Sequence, residues 1–153
     1  METYFVDSNV FYYHFLQDKA YGPSATGIIR RIRNGEASAT SVVVVSELVS
    51  LFEFRIMQAD RRKDISQEEK AYITDRFKNA ISDFQHLLDN LVHLEKLSCT
   101  FEDAQRAFPL MSKHDLEFND SLNLSIIERE NIPGVYSFDK AYSRIPWLTR
   151  KQS

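Results

Sequence analysis

Two aspartates directly follow short apolar segments of the chain. Asp7 comes after Tyr4-Phe5-Val6, and Asp139 comes after Val135-Tyr136-Ser137-Phe138. If both segments are parallel β-strands, their carboxyl ends meet at one edge of a sheet, and open α/β sheets bind their ligands outside that edge. The sequence therefore predicts that Asp7 and Asp139 face a common site.

Two further acids belong to helices that are expected to begin at the same edge. Asp120, with Asn119 before it, lies in or near the first turn of one predicted helix, and Glu47 lies about one turn into another. Like charges at close range repel, so such a cluster is stable only if the acids take up protons or a cation lies between them. Carboxylates and water suit hard cations such as Mg²⁺ or Mn²⁺. We therefore expect a divalent metal site.

Each acid also has a simpler interpretation. Asp7 and Asp120 could cap the helices that follow them, Asp139 could cap a turn, and Glu47 could lie on a solvated helix face. Taken singly, these roles explain the acids as well as a metal site does. The pattern of all four favours the site, because apolar strands deliver acids twice to the same sheet edge.

Composition limits the class of protein. A chain of 153 residues, of which 43% are hydrophobic, is expected to form a single domain over residues 1–153. A net charge of -3 argues against binding nucleic acid through bulk positive charge, which leaves a local basic strip as the route to such contact. The single cysteine, Cys99, cannot form an intrachain disulfide and favours a reducing, cytoplasmic location. No stretch has the roughly 18 apolar residues that a membrane span needs, so no membrane contact is expected.

Short strands alternate with helices along the chain, which predicts an α/β fold with a mainly parallel sheet. Strands are predicted over Met1–Val6, Ala37–Thr40, Leu91–Leu94 and Val135–Phe138. The first three helices are predicted over Asn9–Asp18, from a cap at Ser24 to Asn34, and from Val42 past Met57. The last three are predicted from a cap at Ser66 to Asn90, from Thr100 to a kink or end at Pro109, and from Asn119 onward. The run of valines at 42–45 has the composition of a strand, but a helix capped by Thr40 or Ser41 is the preferred interpretation.

Four short segments resemble the acidic motifs of PIN-domain nucleases: Val6-Asp7-Ser8-Asn9, Ser46-Glu47-Leu48, Phe118-Asn119-Asp120-Ser121-Leu122 and Ser137-Phe138-Asp139-Lys140-Ala141-Tyr142. Their order and spacing match over nearly the whole chain, and the resemblance is closest to the toxins of VapBC toxin–antitoxin pairs. It implies a three-layer α/β/α sandwich and a Mg²⁺- or Mn²⁺-dependent ribonuclease, often a homodimer, with a VapB-type antitoxin as a candidate partner.

The resemblance also implies roles for individual residues. Asp7, Glu47, Asp120 and Asp139 would form the catalytic site for RNA hydrolysis, with Asp7, Asp120 and Asp139 first in contact with the metal and Glu47 binding metal or orienting water. Ser8, Asn9, Asn119 and Ser137 would support these acids. Lys140 and Arg144 are candidates for phosphate contact, although a solvated surface is the simpler interpretation for both.

Other classes of α/β protein fit the sequence less well. A phosphatase of the haloacid dehalogenase type needs an acid where this chain has Asn9, and a P-loop needs Lys and Ser or Thr where it has Ile28 and Ile29. Arg30, Arg31 and Arg33 favour a solvated face over phosphate contact. Two alternatives remain open: a PIN-domain RNA-processing nuclease without an antitoxin, and a non-catalytic RNA- or protein-binding module of the same fold.

Overall fold

The protein has one central sheet of five parallel strands, as a computed structural model covering residues 2–153 shows. The strand order is β3-β2-β1-β4-β5, where the strands are β1 (Tyr4–Val6), β2 (Ser38–Ser41), β3 (Leu94–Leu97), β4 (Gly134–Tyr136) and β5 (Thr149–Lys151). Met1, the predicted start of the first strand, lies outside the described residues.

Six α-helices connect and cover the strands. They are α1 (Ser8–Leu16), α2 (Gly22–Arg33), α3 (Val42–Arg61), α4 (Gln67–Asn90), α5 (Phe101–His114) and α6 (Phe118–Arg129), and a short 3-10 helix spans Lys140–Arg144. An all-parallel sheet is stable when helices cover both of its faces, since its strands are then apolar throughout. The predicted α/β/α sandwich is therefore confirmed, and the sheet is parallel in every pairing.

The register of the sheet brings the ends of its central strands together. Phe5 of β1 is the partner of Ala39 in β2 and of Val135 in β4, and Val6 is the partner of Tyr136. Asp7 and Ser137 therefore follow their strands side by side at the carboxyl edge.

Helix α3 begins at the valines, as predicted. Ser41 caps it, because its Oγ accepts a hydrogen bond from the backbone N–H of Val44 at 3.2 Å. Val43 and Val44 are buried against the core, and burial outweighs the modest cost of β-branched residues in a helix. The cap and the burial together place Glu47 in the second turn of α3.

Several predicted boundaries are wrong. Strand β1 begins at Tyr4, and helix α1 ends at Leu16 and not at Asp18. The third strand lies at Leu94–Leu97 because Leu91 is instead the buried C-cap of α4. Helix α2 begins at Gly22 and not after Ser24, since Pro23 is tolerated in a first turn. Strand β4 ends at Tyr136, before the predicted Phe138.

Two further features of the fold differ from the predictions. Pro109 does not end helix α5, which continues to His114 and packs along α6 through the buried Ala107 and Leu110. Strand β5 was not predicted, because Thr149–Lys151 is short, polar and partly exposed at the edge of the sheet. Within residues 2–153, no helix is both long enough and apolar enough to cross a membrane.

Candidate active site

Asp7 is held by two hydrogen bonds at the end of β1. Its side chain is only 3% exposed; Oδ1 accepts from the backbone N–H of Ser8 at 2.9 Å, and Oδ2 accepts from Ser137 Oγ at 2.7 Å. Asp7 is thus the N-cap of α1, as its simpler interpretation required. The cap occupies one oxygen only, and the other joins Asp7 to the connection that follows β4.

Ser137 organises that connection. Its Oγ accepts from the backbone N–H of Asp139 at 3.0 Å and from Asn9 Nδ2 at 3.2 Å, while it donates to Asp7. These three bonds use the full capacity of a hydroxyl group. Asn9 Oδ1 in turn accepts from the backbone N–H of Phe138 at 3.1 Å. Asn9 and Ser137 therefore fix the positions of Asp7 and Asp139 relative to each other.

Asp139 caps the 3-10 helix that follows it. Oδ1 of Asp139 accepts from the backbone N–H of Ala141 at 2.9 Å. Among residues 2–153, Oδ2 of Asp139 takes part in no hydrogen bond or salt bridge, so it remains available for a ligand.

Glu47 reaches the same edge from α3. The Ser8 Oγ donates a hydrogen bond to Glu47 Oε1, so the side chain of Ser8 supports Glu47 while its backbone supports Asp7. Glu47 also lines a cleft of about 430 Å³ between α3 and α6, together with Asn119 and the apolar side chains of Val42, Leu51 and Leu122. The predicted supporting residue Asn119 thus faces the cleft.

Asp120 lies in the first turn of α6 but does not cap it. Glu117 occupies the N-cap position, so the interpretation of Asp120 as an N-cap is wrong. The Tyr142 hydroxyl donates to Asp120 Oδ1 at 3.3 Å. Burial, followed by the charges of Asp7, Asp120 and Glu47, raises the pKa of Tyr142 well above its usual value, so this tyrosine stays protonated.

A buried polar pair lies behind Tyr142. Ser41, the cap of α3, donates through Oγ to Asn123 Oδ1 at 2.7 Å, and both residues are buried. The Nδ2 of Asn123 has no hydrogen-bond partner in the described part of the chain, although it lies close enough to Tyr142 to lower the pKa of that phenol. No role at the site was predicted from sequence for Tyr142 or Asn123, because their polar atoms are recognisable only from their burial beside an acid.

The four acids influence one another electrostatically. The pKa of Asp7 is raised to about 7: burial is the largest cause, the hydrogen bonds from Ser137 and Ser8 oppose it, and the charges of Glu47 and Asp139 add to it. Burial also raises the pKa of Asp120 to about 7, followed by the charges of Asp7, Asp139 and Glu47. No lysine or arginine among residues 2–153 forms an ion pair with any of the four. The structure therefore brings the predicted acids together and leaves their charge without a basic partner.

The chemistry of this donor set fits a hard divalent cation. All four side chains offer carboxylate oxygens, which are the ligands that hard cations prefer. In each of the four acids, at most one oxygen accepts a hydrogen bond from another side chain. Within residues 2–153, no group of three or more His, Cys, Asp or Glu side chains is placed so that it could hold a metal ion directly. Mg²⁺ does not require one, because it usually keeps several waters and binds one or two carboxylates.

The predicted phosphate contacts lie apart from the acids. Arg144 donates to the backbone carbonyl of Asp115, and Lys140 is exposed. Neither side chain forms a hydrogen bond or salt bridge with Asp7, Glu47, Asp120 or Asp139 in the described part of the chain.

Comparisons with known proteins agree with this arrangement. A sequence search of curated proteins gives no match. The chain is similar in structure to VapC20 of Mycobacterium tuberculosis, a sarcin-ricin loop cleaving toxin, with 16% identity, TM-score 0.62 and coverage of 94% and 95% of the two chains. It is also similar to VapBC2 from Rickettsia felis bound to a promoter DNA fragment (16% identity, TM-score 0.59, 97% of each chain) and to a toxin–antitoxin complex from Klebsiella pneumoniae (12% identity, TM-score 0.55, 98% of each chain).

At these identities the structural similarity establishes the fold. The family follows from sequence, because the model of the PIN domain matches residues 4–148, which include all four acids. The chain therefore belongs to the PIN-domain family.

Proposed function

We propose that this protein is a metal-dependent ribonuclease that hydrolyses RNA phosphodiester bonds. The observation that carries the proposal is the gathering of Asp7, Glu47, Asp120 and Asp139 at one sheet edge. Two of the four carboxyl groups have a pKa raised to about 7, and no lysine or arginine in the described part of the chain pairs with them. Such a cluster is costly unless it holds a cation. Membership of the PIN-domain family, which generally uses a divalent metal, supports the same conclusion.

Asp7, Asp120 and Asp139 are the proposed metal ligands, directly or through water. Asp120 and Asp139 each present an oxygen outside the hydrogen bonds of the site, and both oxygens of Asp7 accept one hydrogen bond each and keep a second lone pair for a ligand. Mg²⁺ or Mn²⁺ bound there would supply a Lewis acid that lowers the pKa of water and neutralises charge on the phosphate oxygens. The hydrogen bonds from Ser137 and Tyr142 orient the Asp7 and Asp120 carboxylates for that role.

Glu47 is proposed to orient the attacking water. The hydrogen bond from Ser8 holds Oε1 of Glu47 and so fixes the orientation of the carboxylate. Oε2 takes no part in that bond and can accept a proton from water. In the hydrolysis, the water oxygen forms a bond to phosphorus, the bond from phosphorus to the leaving sugar oxygen breaks, and that oxygen takes up a proton. Lys140 and Arg144, beyond Asp139, are proposed to contact flanking phosphates.

The finer biological assignment is also a proposal. We infer a single-domain toxin of the VapBC type, acting in the cytoplasm, which forms a homodimer and binds a VapB-type antitoxin; the structural neighbours support this inference. Exposed apolar side chains along α3, namely Val42, Leu51, Phe54 and Met57, support contact with another protein surface. Light scattering of the purified chain tests the dimer, and co-purification with the product of an adjacent small gene tests the antitoxin.

The deciding experiment is cleavage of mixed single-stranded and structured RNA with Mg²⁺ or Mn²⁺, beside EDTA. Wild type is compared with Asp7→Asn, Asp120→Asn and the matched control Asp83→Asn, which makes the same change at an exposed site on α4. We expect metal-dependent cutting by wild type and Asp83→Asn, and a loss of at least about 100-fold in the other two.

Two results would contradict the proposal. Equal cutting by wild type and Asp120→Asn would show a contaminating nuclease. No cutting together with no Mn²⁺ binding in calorimetry would leave the non-catalytic interaction module. A separate outcome concerns the partner only: cutting without any antitoxin partner would favour an RNA-processing nuclease.

A further inference from the structure

Three aromatic rings form a ledge beside Asp139. The ring centroid of Tyr21 lies 4.8 Å from that of Phe138 and 5.0 Å from that of Tyr13, and Tyr13 lies 5.5 Å from Phe138. Phe138 immediately precedes Asp139, and its backbone is fixed by Asn9. The ledge is therefore continuous with the candidate active site.

Tyr21 is the exposed member of the ledge. Phe138 is buried and Tyr13 partly buried, whereas Tyr21 is 42% exposed. Tyr21 occupies the N-cap position of α2, but its side chain makes no capping hydrogen bond. The start of the helix therefore does not require an aromatic residue at this position.

The backbone around Tyr21 is held in place from two sides. Asp18 Oδ2 accepts hydrogen bonds from the backbone N–H groups of Tyr21 at 2.8 Å and Ala20 at 3.0 Å. A Cβ atom at Gly22 would lie 3.1 Å from the carbonyl carbon of Gln17 and 3.4 Å from the carbonyl oxygen of Tyr13, so a glycine permits this close approach of α2 to α1. The ring of Tyr21 is thus presented on a fixed support.

Two basic side chains belong to a cleft next to Tyr21, whose neighbour Gly22 is one of the lining residues. Lys19 and Arg30, together with Gly22 and Pro23, line a cleft of about 570 Å³. Both basic residues are exposed, and neither forms a salt bridge among residues 2–153. The cleft also contains Asp18, whose Oδ2 is engaged by the backbone N–H groups of Ala20 and Tyr21. The exposed ring of Tyr21 therefore packs on the neighbour of Asp139 and adjoins a cleft that carries two basic side chains.

We propose that Tyr21 is a stacking platform for an unpaired nucleobase next to the scissile phosphate, and that Lys19 and Arg30 contact the phosphates beyond it. Aromatic faces bind bases of any sequence, and the bases must be unstacked from their neighbours to reach them. The substrate class is therefore RNA that is single-stranded, in a loop or a tail, at the cut. This inference deepens the proposed function and rests on it.

Stacking is measured separately from cleavage in the Asp120→Asn background, where RNA is expected to stay intact. Replacing Trp147 with Phe and Tyr21 with Trp leaves one tryptophan, on the ledge, and replacing Tyr72 instead of Tyr21 gives the matched control, because Tyr72 is an exposed tyrosine on α4. We expect single-stranded oligonucleotides to quench the fluorescence of Trp at 21 and not at 72, and a blunt duplex to quench neither.

Affinity and rate are then compared in Tyr21→Ala, Tyr21→Phe and Tyr72→Ala. We expect Tyr21→Ala to bind single-stranded RNA about 5-fold more weakly or worse, in line with the loss of one stacked base, and Tyr21→Phe and Tyr72→Ala to keep wild-type affinity. The Lys19→Gln, Arg30→Gln double variant should reduce the slope of log affinity against log salt by about 1.4, since each contact to a single strand contributes about 0.7.

The outcomes separate this inference from the proposed function. Cleavage by wild type with equal binding by Tyr21→Ala and Tyr72→Ala would overturn the ledge and leave the nuclease intact. Selective quenching at position 21 without any cleavage would support the ledge and contradict the nuclease. Equal quenching by duplex and single strand, or no RNA binding by any variant, would overturn the inference.

Discussion

The hydroxyl of Tyr142 lies 3.3 Å from Oδ1 of Asp120, and Tyr142 itself has no exposed surface. A buried, protonated phenol beside a carboxylate can only donate to it, so the contact fixes one Asp120 oxygen and leaves the other free. Tyr142 thereby couples the 3-10 helix after Asp139 to the first turn of α6, and two of the four acids come to depend on one side chain.

Replacing Tyr142 with Phe tests this coupling. We expect a loss of about 0.5–1.5 kcal/mol in the free energy of unfolding, as for one neutral hydrogen bond. We also expect Mn²⁺ affinity to fall about 10-fold, because groups that orient metal ligands typically contribute that much. Titration calorimetry measures the second effect. Tyr136→Phe is the matched control, since the Tyr136 hydroxyl donates to Glu36 instead of an acid of the site; equal Mn²⁺ affinity in both variants would contradict the role of Tyr142.

The pKa values of Asp7 and Asp120 predict how stability varies with pH in the absence of metal. Both rise from 3.8 to about 7 on folding, so between these values the folded chain holds protons that the unfolded chain releases. Stability contributed by these groups is therefore complete below about pH 4, falls as pH rises toward 7, and stays low above that.

The variant Asp120→Asn isolates this effect, because Asn carries no charge at any pH. We expect its melting temperature to exceed that of wild type by about 3–8 °C at pH 8. This shift corresponds to about 1–2 kcal/mol once solvent screening of this partly exposed group is allowed for. At pH 4.5 we expect little or no difference in melting temperature. Thermal denaturation with EDTA at both pH values is the measurement. A difference that is the same at both would show that the carboxylate is not under electrostatic strain.

Ser137→Ala removes the central hydroxyl of the site. The Oδ2 of Asp7, the N–H of Asp139 and the Nδ2 of Asn9 would all lose a partner, and an unpaired buried group costs about 1–3 kcal/mol. The pKa of Asp7 should rise further, because the Ser137 hydrogen bond is the main influence that lowers it. We expect lower thermal stability and weaker RNA cleavage. Ser112→Ala, an exposed serine on α5, provides the control, and a Ser137→Ala variant as active and stable as Ser112→Ala would refute the assigned network.

Features that depend on neighbouring residues in the chain were predictable from sequence. Asp7 and Asp139 follow apolar segments, and parallel pairing alone brings their positions to one edge, which the register of Phe5 with Val135 now shows. The cap of α3 at Ser41 was likewise predicted from local chemistry. The acids were found because their signal is carried by short segments that can be interpreted without knowledge of distant packing.

Features that depend on distant packing were not predictable. Nothing in the sequence distinguishes Tyr142 and Asn123 from other residues of helices. Their burial near Asp120 depends on how the 3-10 helix packs on α6. The start of α2 at Gly22 depends on a close approach to Gln17 that no local pattern indicates. Strand β5 forms by pairing with β4, and its own composition is not that of a strand.

Asp103 is a second buried acid whose role is structural. It has no exposed surface, its Oδ2 accepts from the backbone N–H of Thr100 at 2.8 Å, and its Oδ1 pairs with Arg106 and, at 3.2 Å, with Nε of Arg129. The pair with Arg129 joins α5 to α6, which carries Asp120. Unlike the four acids of the site, Asp103 has its charge fully balanced.

We expect Asp103→Ala to destabilise the fold by about 1–3 kcal/mol, since it removes the capping-box partner of Thr100 and leaves two partly exposed arginines without their buried partner. The matched control Asp64→Ala also breaks an Asp–Arg pair, with Arg62, but this pair is exposed and its loss should change the stability far less than Asp103→Ala does. Urea denaturation gives both values. RNA cleavage per folded molecule should be unchanged in each, because neither aspartate shares a hydrogen bond or salt-bridge partner with the four acids of the site; a loss of cleavage in stably folded Asp103→Ala would instead place the α5–α6 contact in control of Asp120.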